Sequence, residues 1–216
     1  MDYSVPEVTS AEREFYGENL ILLEGAISEF LSCMDMIRRY EVQLGNRDPV
    51  ASSQTRIKSA ESMRQKLQRL AFPVTAESAM KNVFDAAGVR LVCPFIQDIY
   101  TVADMLMRQS DLTLIEKKDY ISSPKPNGYR SYHMILSMPL RFLGNSQKTV
   151  WLEVQLRTIA MDCWANIEHQ LKYKQNIPDQ ALLLQELKRC ADEITSTDLS
   201  LQTIRDLIEH HEEEPI

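Results

Sequence analysis

The chain opens on a helical stripe. Tyr16, Leu20, Leu23, Ile27, Phe30, Met34 and Ile37 follow a 4-3 spacing, which predicts an amphipathic helix over about residues 10–44. Thr9 with Glu12 forms a capping-box pattern at its start, and Gly45-Asn46 ends it. The stripe suits either the chain's own core or another subunit. A polar stretch to Thr55 leads into a second helical segment within Arg56 to Leu70, with Ser59 as its cap. A short helix follows around Glu77 to Phe84. The pattern then turns to period two and to short apolar runs. Strands are expected at Ala87–Cys93, Leu112–Lys118, Ser131–Leu140 and Thr149–Arg157, with a helix over Asp98–Gln109 and a turn at Gly144-Asn145. From Asp179 onward Leu184, Leu187, Ala191, Ile194, Leu201 and Ile204 form another 4-3 stripe, ending in the acidic tail Glu212–Glu214.

Composition narrows the class. The 216 residues are 44% apolar with six glycines, which fits one soluble globular domain, and no Gly/Ser/Pro-rich linker divides them. No signal peptide and no long uncharged apolar run is present, so a cytoplasmic protein without membrane contact is expected. Cys33, Cys93, Cys163 and Cys190 lack CxxC spacing and read as reduced core thiols. A net charge of −7 argues against broad nucleic-acid binding; single-stranded RNA is not indicated, and any anion site must be a local cluster.

Three segments offer such chemistry. The stretch Glu116–His133 contains Pro124, Pro126 and the only Asn-Gly pair, Asn127-Gly128, which stiffen a loop and reverse it into a strand. It delivers Lys125, Tyr129, Arg130 and His133 to one region, cations for phosphate and an aromatic face for a base. A plain hairpin with a polar tip is the bland alternative. In the second segment Ser62, Lys66 and Arg69 share one helix face, preceded by Arg56 and Lys58. Such a face could grip a triphosphate with help from the helix dipole, or it could simply be solvated. In the strand Thr149–Arg157, Trp151, Glu153, Gln155 and Arg157 alternate with Val150, Leu152, Val154 and Leu156. A Glu among apolar residues is costly unless paired or metal-bound. With Asp85, just before the strand at Ala87, it offers a carboxylate pair whose oxygen chemistry favours Mg²⁺ over zinc, although an Asp in a turn can be turn chemistry alone.

Five ordered blocks carry a resemblance: RIKSAES at Arg56, DAAGVRLVC at Asp85, KDYISSPKPNGYRSYH at Lys118, EVQLRTIAMDCW at Glu153 and EHQLKYK at Glu168. Over about residues 50 to 175 the chain resembles the (p)ppGpp synthetase domain of the RelA/SpoT family, in particular its small alarmone synthetases. The resemblance implies an α/β (α+β) fold, a nucleotidyltransferase-like mixed β-sheet flanked by helices, with amphipathic helices at both termini. It implies pyrophosphate transfer from ATP to the ribose 3′-hydroxyl of GTP or GDP with release of AMP, and a synthetase without a hydrolase domain. Arg56 and Arg90 would sandwich adenine, while Lys58, Ser62, Lys66 and Arg69 hold the ATP phosphates. Asp85 and Glu153 would bind Mg²⁺, with Glu153 activating the attacking hydroxyl. Tyr129 would stack on guanine, surrounded by Lys125, Asn127, Arg130, His133 and Gln155. His133 could instead be a satisfied strand histidine, and Arg157, Lys172 and Lys174 could be charges at the fold's rim.

Lys118 stands where many small synthetases carry Arg near the transferred phosphates, and it loses bidentate geometry there. The mixed pattern of Glu116, Lys118 and Asp119 leaves GTP or GDP preference undecided. Some tetrameric members are stimulated by product through a Phe and an Asn, for which this chain has Ser52 and Asp162. Ser52 cannot stack and Asp162 would repel phosphate, so such stimulation is expected to be weak or absent. A homotetramer is expected by resemblance, and no protein partner is identifiable. The other readings are a silent nucleotide- or RNA-binding regulator on the same fold, and a nucleotidyltransferase releasing pyrophosphate instead of AMP.

Overall fold

The computed structural model describes residues 6–143, 148–172 and 180–213. The expected Gly144-Asn145 turn and Lys174 lie outside these residues, as do the side chains of Lys172 and the acidic tail. The N-terminal stripe forms two helices, α1 (Ser10–Tyr16) and α2 (Leu20–Gln43), because Gly17 at φ 51° interrupts them. Thr9 and Glu12 make the expected capping box. Then come β1 (Ser52–Ile57), α3 (Ala60–Arg69), α4 (Ala76–Asn82), β2 (Ala87–Cys93) and α5 (Ile96–Met107). The chain continues with β3 (Thr113–Asp119), β4 (Tyr132–Pro139), β5 (Thr149–Thr158), α6 (Ile159–Lys172) and α7 (Gln180–Glu213).

The five strands form one sheet in the order β1-β2-β5-β4-β3. β2 and β5 are parallel and the other pairs antiparallel. Its apolar face carries Val150, Leu152, Val154 and Leu156 on the central strand, with Ala87, Val89 and Leu91 beside them on β2 and Met134, Leu136 and Met138 on β4. α2 and α5 cover this face, and Leu23, Ile27, Phe30, Ile99 and Leu106 complete one core. The N-terminal stripe therefore seats in the chain's own core.

β1 corrects the sequence reading, in which the segment before Thr55 was a polar connection. Its residues alternate between exposed and half-buried because it is an edge strand with a polar upper face, so it shows no apolar alternation. The C-terminal stripe splits. Leu187 and Ala191 pack with Trp164 and Ala165 of α6 in a second small cluster, whereas Leu184, Leu201 and Ile204 are exposed. Cys93 is buried, but Cys163 is exposed, so the cysteines are not all core thiols.

Leu23→Ala removes a wholly buried side chain from the α2–sheet contact. Urea unfolding is expected to show a loss of about 2–5 kcal/mol. A loss below about 1 kcal/mol would mean that α2 does not seat there.

Candidate active site

The sheet's second face is polar because period two runs through every strand. Register places Gln54, Arg90, Gln155, His133 and Lys118 in one row across the five strands. The next row holds Arg56, Gly88, Glu153, Ile135 and Glu116. A Cβ at Gly88 would lie 3.3 Å from Arg56 Nε, a tight contact. The Arg56 side chain lies across the sheet there and reaches the central strand.

Glu153 is the centre of this face and only 9% exposed. Arg56 Nη2 lies 2.9 Å from its Oε2, Gln155 Nε2 donates to the same oxygen at 2.9 Å, and His133 Nδ1 is 3.3 Å from Oε1. Burial pushes its pKa up, but the His133 hydrogen bond, the Arg56 charge and the Gln155 amide outweigh that and hold it at about 2. Tyr129 Oη is 2.9 Å from His133 Nε2, and Arg157 Nη2 donates to Tyr129 Oη at 2.8 Å. In the tautomer with the imidazole proton on Nδ1, the hydrogen bonds run in one direction, Arg157 to Tyr129 to His133 to Glu153. His133 is satisfied on both nitrogens and still faces the site.

A second carboxylate, Asp85, lies just before β2, the neighbour of the strand that carries Glu153. Asp85 Oδ2 is 3.0 Å from Lys58 Nζ, and its Oδ1 is 2.8 Å from Lys66 Nζ. Burial raises the Asp85 pKa, and the two ammonium groups more than reverse this, so the carboxyl titrates below its usual range. Arg56 and Lys58, two residues apart, therefore hold Glu153 and Asp85 respectively. Tyr16 Oη donates to the Lys58 carbonyl at 2.7 Å, and Lys58 N to the Ala86 carbonyl at 2.9 Å, which fixes the backbone between them. Lys58, Ser62, Gln65, Lys66, Arg69 and Asp85 line an open cleft of about 310 Å³. Glu12 Oε1 accepts from Ala60 N at 3.0 Å and Ser59 Oγ from Ser62 N at 3.3 Å, so two amides at the start of α3 already have partners.

The loop between β3 and β4 supplies the other side. Asp119 accepts from Ile121 N and Ser122 N at 2.8 and 3.0 Å and so turns the chain. Gly128 at φ 88° lies against α7, where a Cβ would come within 2.5 Å of Ala191 Cβ. Tyr129 is half-buried, and Lys125 Nζ lies 4.6 Å from the Tyr120 ring centroid and 4.8 Å from that of Tyr129. Two candidates are committed to the loop itself. Asn127 Nδ2 donates to Glu168 Oε1 at 3.0 Å, and Arg130 Nη1 to the Ile121 carbonyl at 2.9 Å. Lys118 pairs with Glu116 at 2.9 Å in the row beside His133.

Arg157 corrects the rim reading: it is 4% exposed and bonded to Tyr129, Gln155 and Asp162. Its place on the Glu153–Gln155 face was visible in the strand alternation. Asp162 is also buried, bonded to Arg157 and Arg90. Glu168 and Trp164, which brace the loop from α6, carried no spacing signal.

A family description, "Region found in RelA / SpoT proteins", matches residues 55–178. The chain belongs to the RelA/SpoT family. This RelA/SpoT chain is 37% identical over 194 residues to the GTP pyrophosphokinase YwaC of Bacillus subtilis, covering 89% of this chain and 92% of that protein. Its fold matches the crystal structure of small alarmone synthetase 1 from Bacillus subtilis bound to its product pppGpp, with a TM-score of 0.78 at 32% identity, over 88% of this chain and 95% of that one. The same synthetase bound to AMPCPP matches with a TM-score of 0.72 at 30% identity, covering 88% and 96%. The mixed five-stranded sheet flanked by helices is thus the small-synthetase fold.

Glu153 is ionised in the folded protein to lower pH than when unfolded. The stability this supplies is full above about pH 4.5 and is lost as pH falls toward 2. Acid unfolding should therefore show the stability gap between wild type and Glu153→Gln narrowing over that interval. A gap independent of pH would place the carboxylate outside this network.

Proposed function

We infer that this chain is an alarmone synthetase that transfers pyrophosphate from ATP to the ribose 3′-hydroxyl of GTP or GDP and releases AMP. The observation that carries the reading is a buried, ionised Glu153 lying between a basic cleft and an aromatic loop on one sheet face. The relatives named pyrophosphokinase, and the synthetase seen with AMPCPP and with pppGpp, support it.

In this reading the 3′-oxygen bonds to the ATP β-phosphorus as the α–β phosphoanhydride bond breaks, AMP departs with the electron pair, and the hydroxyl proton passes to Glu153. Arg56 and Arg90, on neighbouring strands, flank the adenine. Lys58, Ser62, Lys66 and Arg69 bind the phosphates, which asks the two lysines to exchange Asp85 for phosphate oxygens. Tyr129 stacks on guanine, and Lys125, between two tyrosine rings, is placed to meet acceptor phosphate. Asn127 and Arg130 serve the acceptor by fixing the loop. Lys118 adds charge near the transferred group. His133 and Gln155 orient Glu153. Two partly accessible carboxylates beside a phosphate cleft fit Mg²⁺, which takes few protein oxygens and completes its shell with phosphate and water. Bound at Asp85 and Glu153, it would neutralise charge on the bridging phosphates. The reaction joins two polyanions through a loose transition state, so positioning and charge neutralisation provide most of the catalysis.

Residues 1–216 form a single synthetase domain in this reading, with terminal helical regions. Among the described residues no helix is long and apolar enough to cross a membrane, consistent with a cytoplasmic enzyme. Exposed Leu182, Leu184, Leu199, Leu201, Leu207 and Ile208 on α7 favour a homo-oligomer, a tetramer by family resemblance.

Purified protein with Mg²⁺, ATP and either GTP or GDP should yield AMP and a more highly charged guanosine species on anion-exchange chromatography. Glu153→Gln should lower the rate at least about 100-fold. Unchanged activity in that variant, or no consumption of either acceptor, would defeat the reading. Tyr129→Leu should raise the Kd for GDP titrated alone about 10-fold through lost stacking and leave the Kd for an ATP analogue titrated alone within about twofold; an equal rise in both would remove Tyr129 from the acceptor site.

A further inference from the structure

One buried carboxylate touches both halves of this site and has no part in the chemistry just described. Asp162 Oδ1 accepts from Arg157 Nη1 at 2.9 Å and lies 3.1 Å from Arg90 Nη1. Its other oxygen accepts from Asn166 Nδ2 at 3.1 Å, and Arg90 Nη1 also donates to Asn166 Oδ1 at 3.3 Å. Asp162 and Asn166 are one turn apart on α6, so a single helix face holds the group.

The two cations belong to opposite sides. Arg90 stands on β2, assigned to the adenine side, next to Gln155 in the register. Arg157 stands on β5, with its guanidinium carbon 5.2 Å from the Tyr129 ring centroid and a hydrogen bond to the Tyr129 hydroxyl. Two guanidinium groups brought this close repel each other, and both Nε atoms are buried without a hydrogen-bond partner. The arrangement therefore depends on the carboxylate between them. One oxygen shared by two donors also links their strengths. When a nucleotide draws Arg90 toward itself, Oδ1 becomes more available to Arg157, which tightens its hold on Tyr129.

We propose that Asp162 is a positioning residue that couples the two nucleotide sites, its carboxylate holding Arg90 on the donor side and Arg157, with Tyr129, on the acceptor side, so that each nucleotide raises affinity for the other. This rests on the donor and acceptor assignments of the preceding section. Coupling of this kind is reciprocal and typically about 5- to 150-fold.

The test is calorimetric titration of the full chain with Mg²⁺ and α,β-methylene ATP, blocked at the bond that breaks, with and without saturating GDP. The wild-type Kd for the analogue should fall about fivefold or more when GDP is present, and the GDP Kd by the same factor when the analogue is present. Asp162→Asn should bring both ratios within about twofold of one. Arg157→Lys should do the same, because an ammonium cannot bridge Asp162 and Tyr129 as the planar fork does. Asp162→Glu, which keeps the charge, should retain a ratio above about twofold. Circular dichroism identifies any variant that does not fold, and the Arg157 and Asp162→Glu results then stand alone. A wild-type ratio of one, or a wild-type ratio preserved in folded Asp162→Asn or Arg157→Lys, overturns the proposal. Arg90→Met and Tyr129→Leu, each titrated with one ligand alone, separate the two failures. If Arg90→Met does not weaken the analogue or Tyr129→Leu does not weaken GDP, the site assignment has failed and the coupling falls with it.

Discussion

An ionised carboxylate in the middle of a sheet is the constraint around which this protein is built. Taking Glu153 out of water without partners would cost several kcal/mol. Arg56, His133 and Gln155 meet that requirement from three different strands. Their demands propagate outward. Arg56 reaches across beside the bare Gly88, His133 is oriented by Tyr129, and Tyr129 is held by Arg157. The residues assigned to chemistry are therefore the same ones that make the sheet's upper face tolerable as an interior. A carboxyl held at about pKa 2 is a weak base in this state. In the proposed reaction Arg56 turns to adenine, which removes one of the groups that depress it. The loose transition state asks little of the base in any case.

The topology converts this local chemistry into two opposed sites. Parallel pairing of β2 with β5 sets Gly88 opposite Glu153, and Asp85 lies two residues before the start of β2. The antiparallel edge strand β1 then supplies a cation to each, Arg56 and Lys58. On the other side, β4 pairs with β5 so that His133 lies opposite Gln155, and the preceding loop is left over the sheet with Tyr129. α6 and α7 close that side, bracing the loop through Asn127, Gly128 and Trp164. In the proposed reaction, donor and acceptor approach the Glu153 carboxylate from opposite directions.

Much of this was legible in the sequence because it rests on periodicity. The alternation along β5 placed Glu153 and Gln155 on one face, and the same alternation included Arg157, whose burial was missed because its partners, Tyr129 and Asp162, come from a distant loop and the following helix. β1 escaped because an edge strand facing a polar site has no apolar face to show. The Glu12 contact at the start of α3 joins residues 48 positions apart, and nothing local announces it. Asn127 came into the acceptor set through the family resemblance alone; its bond to Glu168 depends on where α6 passes, which is a property of the folded chain. Spacing reveals which residues share a face, and tertiary packing decides which of them remain free for a ligand.

The central claim is that the group transferred is the β,γ-pyrophosphate, moved intact past Glu153 to a ribose hydroxyl. The most direct measurement follows the β-phosphorus of ATP, using ATP labelled at that position with Mg²⁺ and GDP. The account predicts that the label leaves with the guanosine product while AMP remains unlabelled. Label recovered as free pyrophosphate would mean nucleotidyl transfer and would contradict the account.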